Sequence, residues 1–257
     1  MKILGSDYDG TLSVGGITGQ KIKDIKRWRE EGNRFGIVTG RSNDFLKYLR
    51  GKAPELEVDF YACCSGGYIT DGDGKVIYET RCADVEIRKF IRELLALDCK
   101  RVYVYGKDNR CIVEQWEDMP KSFAKDKVFL LEDADDVEYF NQITVELPTP
   151  ERATEIAGLL GGSYGERLNF LINGRSIDIV SAGVNKAQGL YRVMEYFGGT
   201  KDDIIAVGDN INDIDMIREF YSYAMESGAE ALKEIADGVV SDVSEILGAS
   251  LPICHKI

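Results

Sequence analysis

Short apolar runs recur through the first third of the chain, and each ends in small or polar residues. Lys2-Ile3-Leu4-Gly5-Ser6 runs into Asp7-Tyr8-Asp9-Gly10-Thr11, Phe35-Gly36-Ile37-Val38-Thr39 into Gly40-Arg41-Ser42, and Phe60-Tyr61-Ala62-Cys63-Cys64 into Ser65-Gly66-Gly67. Runs this short and this apolar predict strands buried on both faces. The segments between them follow helical spacing. Thr18 can cap a helix running to about Glu31, with Ile22, Ile25 and Trp28 on one side and Gly32 as its stop. A second helix is expected over roughly 43–49. Tyr68 to Tyr78 reads as a hairpin turned at Asp71-Gly72-Asp73-Gly74. Strands alternating with helices predict a parallel sheet with helices on its faces.

Past Tyr78 the pattern changes. An amphipathic helix from Val85 to Leu95 precedes two short strands, 102–105 and 111–113, while residues 116–140 are acidic and poorly periodic. A strand at 143–147, a helix opened by Pro150 and ending near Leu160, and a hairpin of 169–172 with 176–180 about Asn173-Gly174 complete the region. Hairpins mixed with helices indicate a separate α+β module. Alternation returns with a helix from Lys186 to Phe197, stopped by Gly198-Gly199, and the strand Ile204-Ile205-Ala206-Val207. The predicted class is α/β: a doubly wound, Rossmann-like parallel-sheet core formed by 1–79 and 183–257, with an α+β module inserted at 80–182.

Size and charge narrow the possibilities. A chain of 257 residues holds such a core plus one insertion. A net charge of -12 argues against a nucleic-acid partner, whose phosphates are held by basic surfaces. No apolar run approaches the ~20 residues of a membrane span, and the first charged motif begins too early to leave room for a signal peptide. The six cysteines, Cys254 the last of them, form no C-x-x-C pair and no zinc-like spacing, so a reduced, cytoplasmic protein is expected. The single histidine, His255, stands near the end, which removes most Ser-His and Cys-His nucleophile schemes. Carboxylates, hydroxyls, amines and metal are left to carry the chemistry.

Four polar clusters stand just past apolar strands or at a helix start: Asp7/Asp9, Thr39-Gly40-Arg41, Asn185-Lys186 and Asp209/Asp213. Ligands of open α/β sheets bind outside the carboxyl ends of the strands, so the clusters converge if the strands share one sheet. In an extended chain Asp7 and Asp9 aim at one spot. Like charges that close need a cation or a shared proton. Mg²⁺ accepts such oxygen ligands, and a proton-sharing pair can divide nucleophile and acid roles. Asp209 and Asp213 would share a face at a helix start. Each cluster also has an alternative: an Asp-Gly turn for Asp7 to Gly10, a helix-capping hydroxyl for Thr39, a solvated lysine for Lys186, turn residues for Asp209-Asn210. Their joint order in one chain favours chemistry.

The segments DYDGTL, VTGR, VNK and VGDNINDIDMI, in that order, resemble the four motifs of the haloacid-dehalogenase superfamily of phosphohydrolases. The α+β insertion between the second and third resembles the Cof-type branch, whose cap lies there. The resemblance implies Mg²⁺-dependent hydrolysis of phosphate monoesters, often sugar phosphates, by a core with a mobile cap that sets specificity. It implies Asp7 as the nucleophile that forms an aspartyl-phosphate, Asp9 as the acid that becomes a base, and Lys186 as the cation between Asp7 and the phosphate. Thr39, Gly40 and Asn212 would bind the phosphoryl group. Asp7, the Asp9 backbone carbonyl and Asp209 would hold the metal, supported by Asp213. A small phosphorylated metabolite is the expected partner, on a monomer or homodimer.

Some positions depart from the family pattern. Ser6 and Tyr8 stand where an apolar and a small aliphatic residue are usual, and Glu226-Ser227 where Asn-Ala is frequent. Ser65-Gly66-Gly67 replaces the usual Asn-Gly, expected at the mouth of the site, and bears on substrate choice. Asn173, Arg175 and the stretch 107–110 are candidates for substrate contact, with plain turns as the alternative. Two other functions fit the same motifs: a phosphomutase acting on a bisphosphate sugar, and a non-catalytic sensor that reads phosphorylation state.

Overall fold

The unbroken apolar run at the N-terminus becomes β1 (Ile3–Ser6), with every side chain buried. The computed structural model describes residues 1–83, 85–97, 99, 101–115, 118, 127–132 and 137–248. The chain divides into two compact units, Met1–Tyr78 with Asn185–Ile257, and Glu79–Val184. After β1 come α1 (Gly19–Glu30), β2 (Arg34–Val38), α2 (Phe45–Lys52), β3 (Phe60–Cys63), β4 (Tyr68–Asp71) and β5 (Val76–Glu79). The Thr18 hydroxyl caps α1 by accepting from the Lys21 N–H at 3.2 Å. The Trp28 indole donates to the Arg34 carbonyl at 2.9 Å and ties the helix to β2. α2 starts later than its sequence pattern suggests, because a backbone turn from Ser42 to Phe45 (3.0 Å) takes the expected first residues.

The inserted unit comprises α3 (Ile87–Leu95), β6 (Arg101–Tyr105), β7 (Arg110–Val113), β8 (Val128–Leu130), β9 (Gln142–Glu146), α4 (Pro150–Tyr164), β10 (Leu168–Asn173) and β11 (Ser176–Ser181). Its sheet runs β10-β11-β9-β6-β7-β8, and the pairs are antiparallel except β7 with β8. Alternate residues of three strands, Val102 and Val104, Ile143 and Val145, Ile177 and Ile179, share one apolar cluster with Phe90, Ile91 and Leu94 of α3 and Ile156 and Leu160 of α4. β8 lies within the acidic stretch where the sequence shows no period. Residues 116, 117, 119–126 and 133–136 of that stretch, and Cys254 and His255, lie outside the described residues.

The chain then returns to the first unit with α5 (Lys186–Phe197), β12 (Ile204–Gly208), α6 (Ile214–Glu219), β13 (Tyr221–Met225), α7 (Glu230–Lys233), β14 (Gly238–Val240) and α8 (Val243–Gly248). Its eight strands run β14-β13-β12-β1-β2-β3-β4-β5. β1 lies parallel to both β2 and β12, the pairs β12–β13, β13–β14 and β2–β3 are also parallel, and β4 is antiparallel to β3. The fold is thus a doubly wound α/β core with an inserted α+β unit. Strand order reverses at β1, and the crevice at such a switch point is where ligands of this fold bind. Asp7, Thr39 and Asp209 follow the ends of the three adjacent strands β1, β2 and β12.

α5 reaches this edge by lying backbone to backbone on the turn after β3. A Cβ on Gly66 would stand 2.7 Å from the Asn185 carbonyl, and one on Gly189 would stand 2.8 Å from the Gly66 Cα. Asn185 caps the helix by accepting from the Gln188 N–H at 2.8 Å. Together these fix Lys186 in the first turn of α5.

Candidate active site

The β1–β12 pairing extends one residue past the strand, with the Asp7 N–H donating to the Val207 carbonyl at 2.9 Å. Asp7 is thereby turned into the protein and left 5% exposed. The Lys186 Nζ lies 2.6 Å from Asp7 Oδ1 and 2.5 Å from Asp213 Oδ1, and both Lys186 and Asp213 are buried. The other oxygen of Asp213 accepts from the N–H groups of Asp209 and Asn210 at 3.0 and 3.1 Å. Asp209 accepts from the Thr11 hydroxyl at 2.8 Å. Gly10, at φ +77°, passes so close to Asp209 that a Cβ would run into its carboxylate. Among the described residues, Asp7, Asp209 and Asp213 each offer an oxygen within 4.8 Å of the others.

Asp9 stands apart from this cluster. Arg41 donates to both of its oxygens, Nε at 2.6 Å and Nη2 at 2.7 Å, and its side chain is 57% exposed. The expectation that Asp7 and Asp9 aim at one spot therefore fails, because extended geometry ends at Asp7. Tyr8–Leu12 closes into a turn, with Leu12 N–H donating to the Asp7 carbonyl at 3.2 Å and Ser13 N–H to that of Tyr8 at 2.9 Å. Arg41 packs against the Tyr8, Phe45 and Tyr48 rings at 5.2 to 5.3 Å. The sequence groups Arg41 with Thr39 and Gly40 but names no partner for it. The available signal was its place two residues after Thr39, at the end of the strand beside β1.

Thr39 is buried, and its hydroxyl accepts from the Arg41 N–H at 3.2 Å instead of capping α2, whose N-cap is Asp44. Gly40 is half-buried in the same turn, and Asn212 is half-buried in the single turn Ile211–Asp213. Asp209 and Asp213 do not share a helix face, since α6 begins only at Ile214. They meet because Asp213 caps the Asp209 and Asn210 N–H groups. Lys186 is not a solvated lysine. Ser65 does not line a mouth: it is 1% exposed, sits at φ +53°, and its buried Oγ has no hydrogen-bond partner among the described residues. In the inserted unit, Arg175 lies 3.7 Å from Glu146, and Arg110 packs over Phe129 at 4.9 Å. A cavity of about 480 Å³ in that unit is lined by Arg88, Lys89 and Arg92 and contains none of the clustered carboxylates.

The family model for haloacid dehalogenase-like hydrolases matches residues 4–248. The chain belongs to that family. Over 275 aligned residues it is 23% identical to the 5-amino-6-(5-phospho-D-ribitylamino)uracil phosphatase YbjI of Escherichia coli K12, covering 98% of each chain. Its fold matches that of a HAD/COF-like hydrolase from Plasmodium vivax at TM-score 0.79 and 20% identity, over 96% of this chain and 94% of that one. It also matches the HAD subclass IIB sugar phosphatase BT4131 at TM-score 0.77 and 22% identity, over 96% and 98%. The chain is a phosphoric monoester hydrolase with the fold of the Cof-type, subclass IIB branch.

The electrostatics of this hydrolase's cluster bear on a metal. Burial pushes the Asp7 carboxyl well above the usual range, against the pull of Lys186 and with added repulsion from Asp213 and Asp209. Burial raises Asp209 as well, with Asp213 adding to it and the Thr11 hydrogen bond opposing. Burial alone would lower Lys186, but Asp213 and Asp7 outweigh it and hold the ammonium above its ordinary value. Negative charge thus exceeds positive charge in a place shielded from water. An all-oxygen donor set of this spacing fits Mg²⁺, whose opposite ligands lie about 4.2 Å apart. Both Asp213 oxygens are already engaged, so Asp7 and Asp209 are the residues that could hold such an ion directly, with Asp213 behind them.

Proposed function

We propose that the chain is a Mg²⁺-dependent phosphatase that hydrolyses a small phosphorylated metabolite, a sugar phosphate by preference, through an aspartyl-phosphate on Asp7. The observation that carries this is Lys186, a buried ammonium bonded to both Asp7 and Asp213. A buried ion pair is weak support for a fold, since apolar residues of similar volume often do as well. It is strong support for a reaction in which an anionic nucleophile must meet an anionic phosphate.

Asp7 attacks phosphorus as the bond to the leaving oxygen breaks, and Asp9 gives that oxygen its proton. Asp9 then takes a proton from water, whose oxygen attacks phosphorus and frees Asp7. Before either step Asp9 exchanges Arg41 for the reacting groups. The Thr39 hydroxyl, the Gly40 N–H and the Asn212 amide donate to the phosphoryl oxygens, and Lys186 offsets their charge. Mg²⁺ held by Asp7, the Asp9 backbone carbonyl and Asp209, with Asp213 behind them, would supply the remaining positive charge. The inserted unit selects the substrate. The sugar-phosphate preference is supported by YbjI, named for a phosphoribityl substrate, and by BT4131, named a sugar phosphatase. Among the described residues no helix is long and apolar enough to cross a membrane, and five buried free thiols suit a reducing cytoplasm.

Release of inorganic phosphate from a panel of phosphomonoesters, with and without Mg²⁺, tests the proposal. Activity that needs Mg²⁺ and disappears in Asp7→Asn supports it; a folded protein inactive across the panel overturns it. An isomerised sugar phosphate in place of free phosphate would mark a phosphomutase.

A further inference from the structure

A second buried lysine lies close to the same turn in the chain. Lys21, on α1, is 2% exposed. Its ammonium donates to the carbonyls of Leu12 at 3.0 Å, Val14, and Gly16 at 3.3 Å, and stands 3.1 Å from Asp242 Oδ2. Three carbonyls and a carboxylate around one charge make the donor set of a monovalent-cation site, filled by the chain's own side chain. The loop curls around it through left-handed backbone at Gly15 and Gly16. Asp242 is anchored in turn, its Oδ1 accepting from the Ser244 N–H at 2.9 Å.

This ring is the far end of a ladder that starts at Asp7. Leu12 N–H donates to the Asp7 carbonyl (3.2 Å), Ser13 to Tyr8 (2.9 Å), Val14 to Thr11 (3.2 Å) and Gly16 to Ser13 (2.9 Å). Within it, Thr11 presents its hydroxyl to Asp209. The loop held by Lys21 is therefore continuous with the turn that sets both Asp7 and the partner of Asp209.

We propose that Lys21 is a positioning residue for the metal site, its ammonium serving as an internal monovalent cation that fixes the loop 12–16 and, through it, the Asp7–Thr11 turn. The proposal rests on the reading that Asp7 and Asp209 hold Mg²⁺. Without the ammonium, four oxygens face one another with no donor between them, and the loop must open.

Two variants of the full chain separate this from a purely structural role. Lys21→Ala leaves room for a small cation, whereas Lys21→Met fills the space without charge. Mg²⁺ affinity is read by calorimetry, with kcat and KM measured alongside. Both variants should bind Mg²⁺ about tenfold more weakly, the low end of what supporting residues contribute. Ammonium, methylammonium or K⁺ should restore affinity in Lys21→Ala and not in Lys21→Met, with choline chloride as the ionic-strength control. Mg²⁺ binding unchanged in both variants, or salts acting alike on both, would overturn the proposal. Should Lys21→Ala fail to fold, Asp242→Asn keeps the ammonium and weakens its ring; weaker Mg²⁺ binding supports the role and unchanged binding overturns it. A wild-type protein that binds no Mg²⁺ would sink the functional reading itself, a result distinct from either.

Discussion

Burial means different things in the two units. In the inserted unit the interior is an apolar cluster, and among the described residues Asp178 is its one buried charge, accepting from Gln142 at 3.1 Å and Thr144 at 2.6 Å. In the eight-stranded unit Asp7, Lys21, Lys186 and Asp213 are all buried, and charge meets charge. Taking an ion out of water costs several kcal/mol, and its partner repays that only with good geometry. Apolar burial stabilises by about 25 cal/mol per Å² without such conditions. The first interior is what stability selects, and the second is what chemistry at a sheet edge requires.

The contrast can be broken at the nucleophile first. Asp7→Asn should leave a folded protein whose phosphate release falls by several orders of magnitude, since Asn cannot attack phosphorus. Retained turnover would remove Asp7 from the mechanism. Lys186→Met comes next. It strands two buried carboxylates and should cost about 3–5 kcal/mol in urea unfolding, with activity lost in the folded fraction. Phe90→Ala in the inserted unit should cost a similar 3–5 kcal/mol by leaving a cavity. The two variants should differ in calorimetry, because only Lys186→Met should alter Mg²⁺ binding by the folded protein.

Smaller effects sharpen the comparison. Asp209→Asn keeps an acceptor for Thr11 while removing one of the crowded charges. The folded Asp209 pKa is raised above its usual 3.8, so the wild-type charge opposes folding above the folded value, and that cost fades as pH falls toward 3.8. In metal-free protein Asp209→Asn should thus raise the melting temperature at pH 7, by an amount that solvent screening keeps small. The gain should vanish near pH 4, and the stabilisation that Mg²⁺ gives the wild type should be absent from the variant. Ser65→Gly relieves left-handed backbone and removes a hydroxyl that has no partner among the described residues. It should raise the melting temperature by about 2–4 °C, equivalent to about 1 kcal/mol.

Much of this was legible in the residues, and the failures have physical causes. Strand ends were visible because fully buried strands are continuous apolar runs, and β1, β2, β3 and β12 all have them. The β10–β11 hairpin was legible from Asn173-Gly174, but its turn lies one residue later, at Gly174-Arg175, because Asn173 still pairs with Ser176. Asp9 was misplaced because two-residue alternation holds only while the chain is extended, and the Tyr8–Leu12 turn ends it. The resemblance set Lys186 beside Asp7, 179 positions away, but nothing in the pattern showed its second bond, to Asp213 27 positions on. Lys21 gave no sign, standing in a helix with other lysines, its acceptors being backbone carbonyls that no side-chain pattern reveals. β8 was hidden because Val128-Phe129-Leu130 is too short to rise above the acidic stretch around it.

The most direct measurement of the central claim is an acid quench of a single turnover, Asp9→Asn protein mixed with Mg²⁺ and p-nitrophenyl phosphate, whose leaving group needs no proton from Asp9, followed by mass spectrometry of the peptide bearing Asp7. A phosphoryl group on Asp7 that forms only with Mg²⁺ present is the expected result. Phosphate released by wild-type protein with Asp7 unmodified at every quench time in the variant, or a phosphoryl group on another residue, would contradict it.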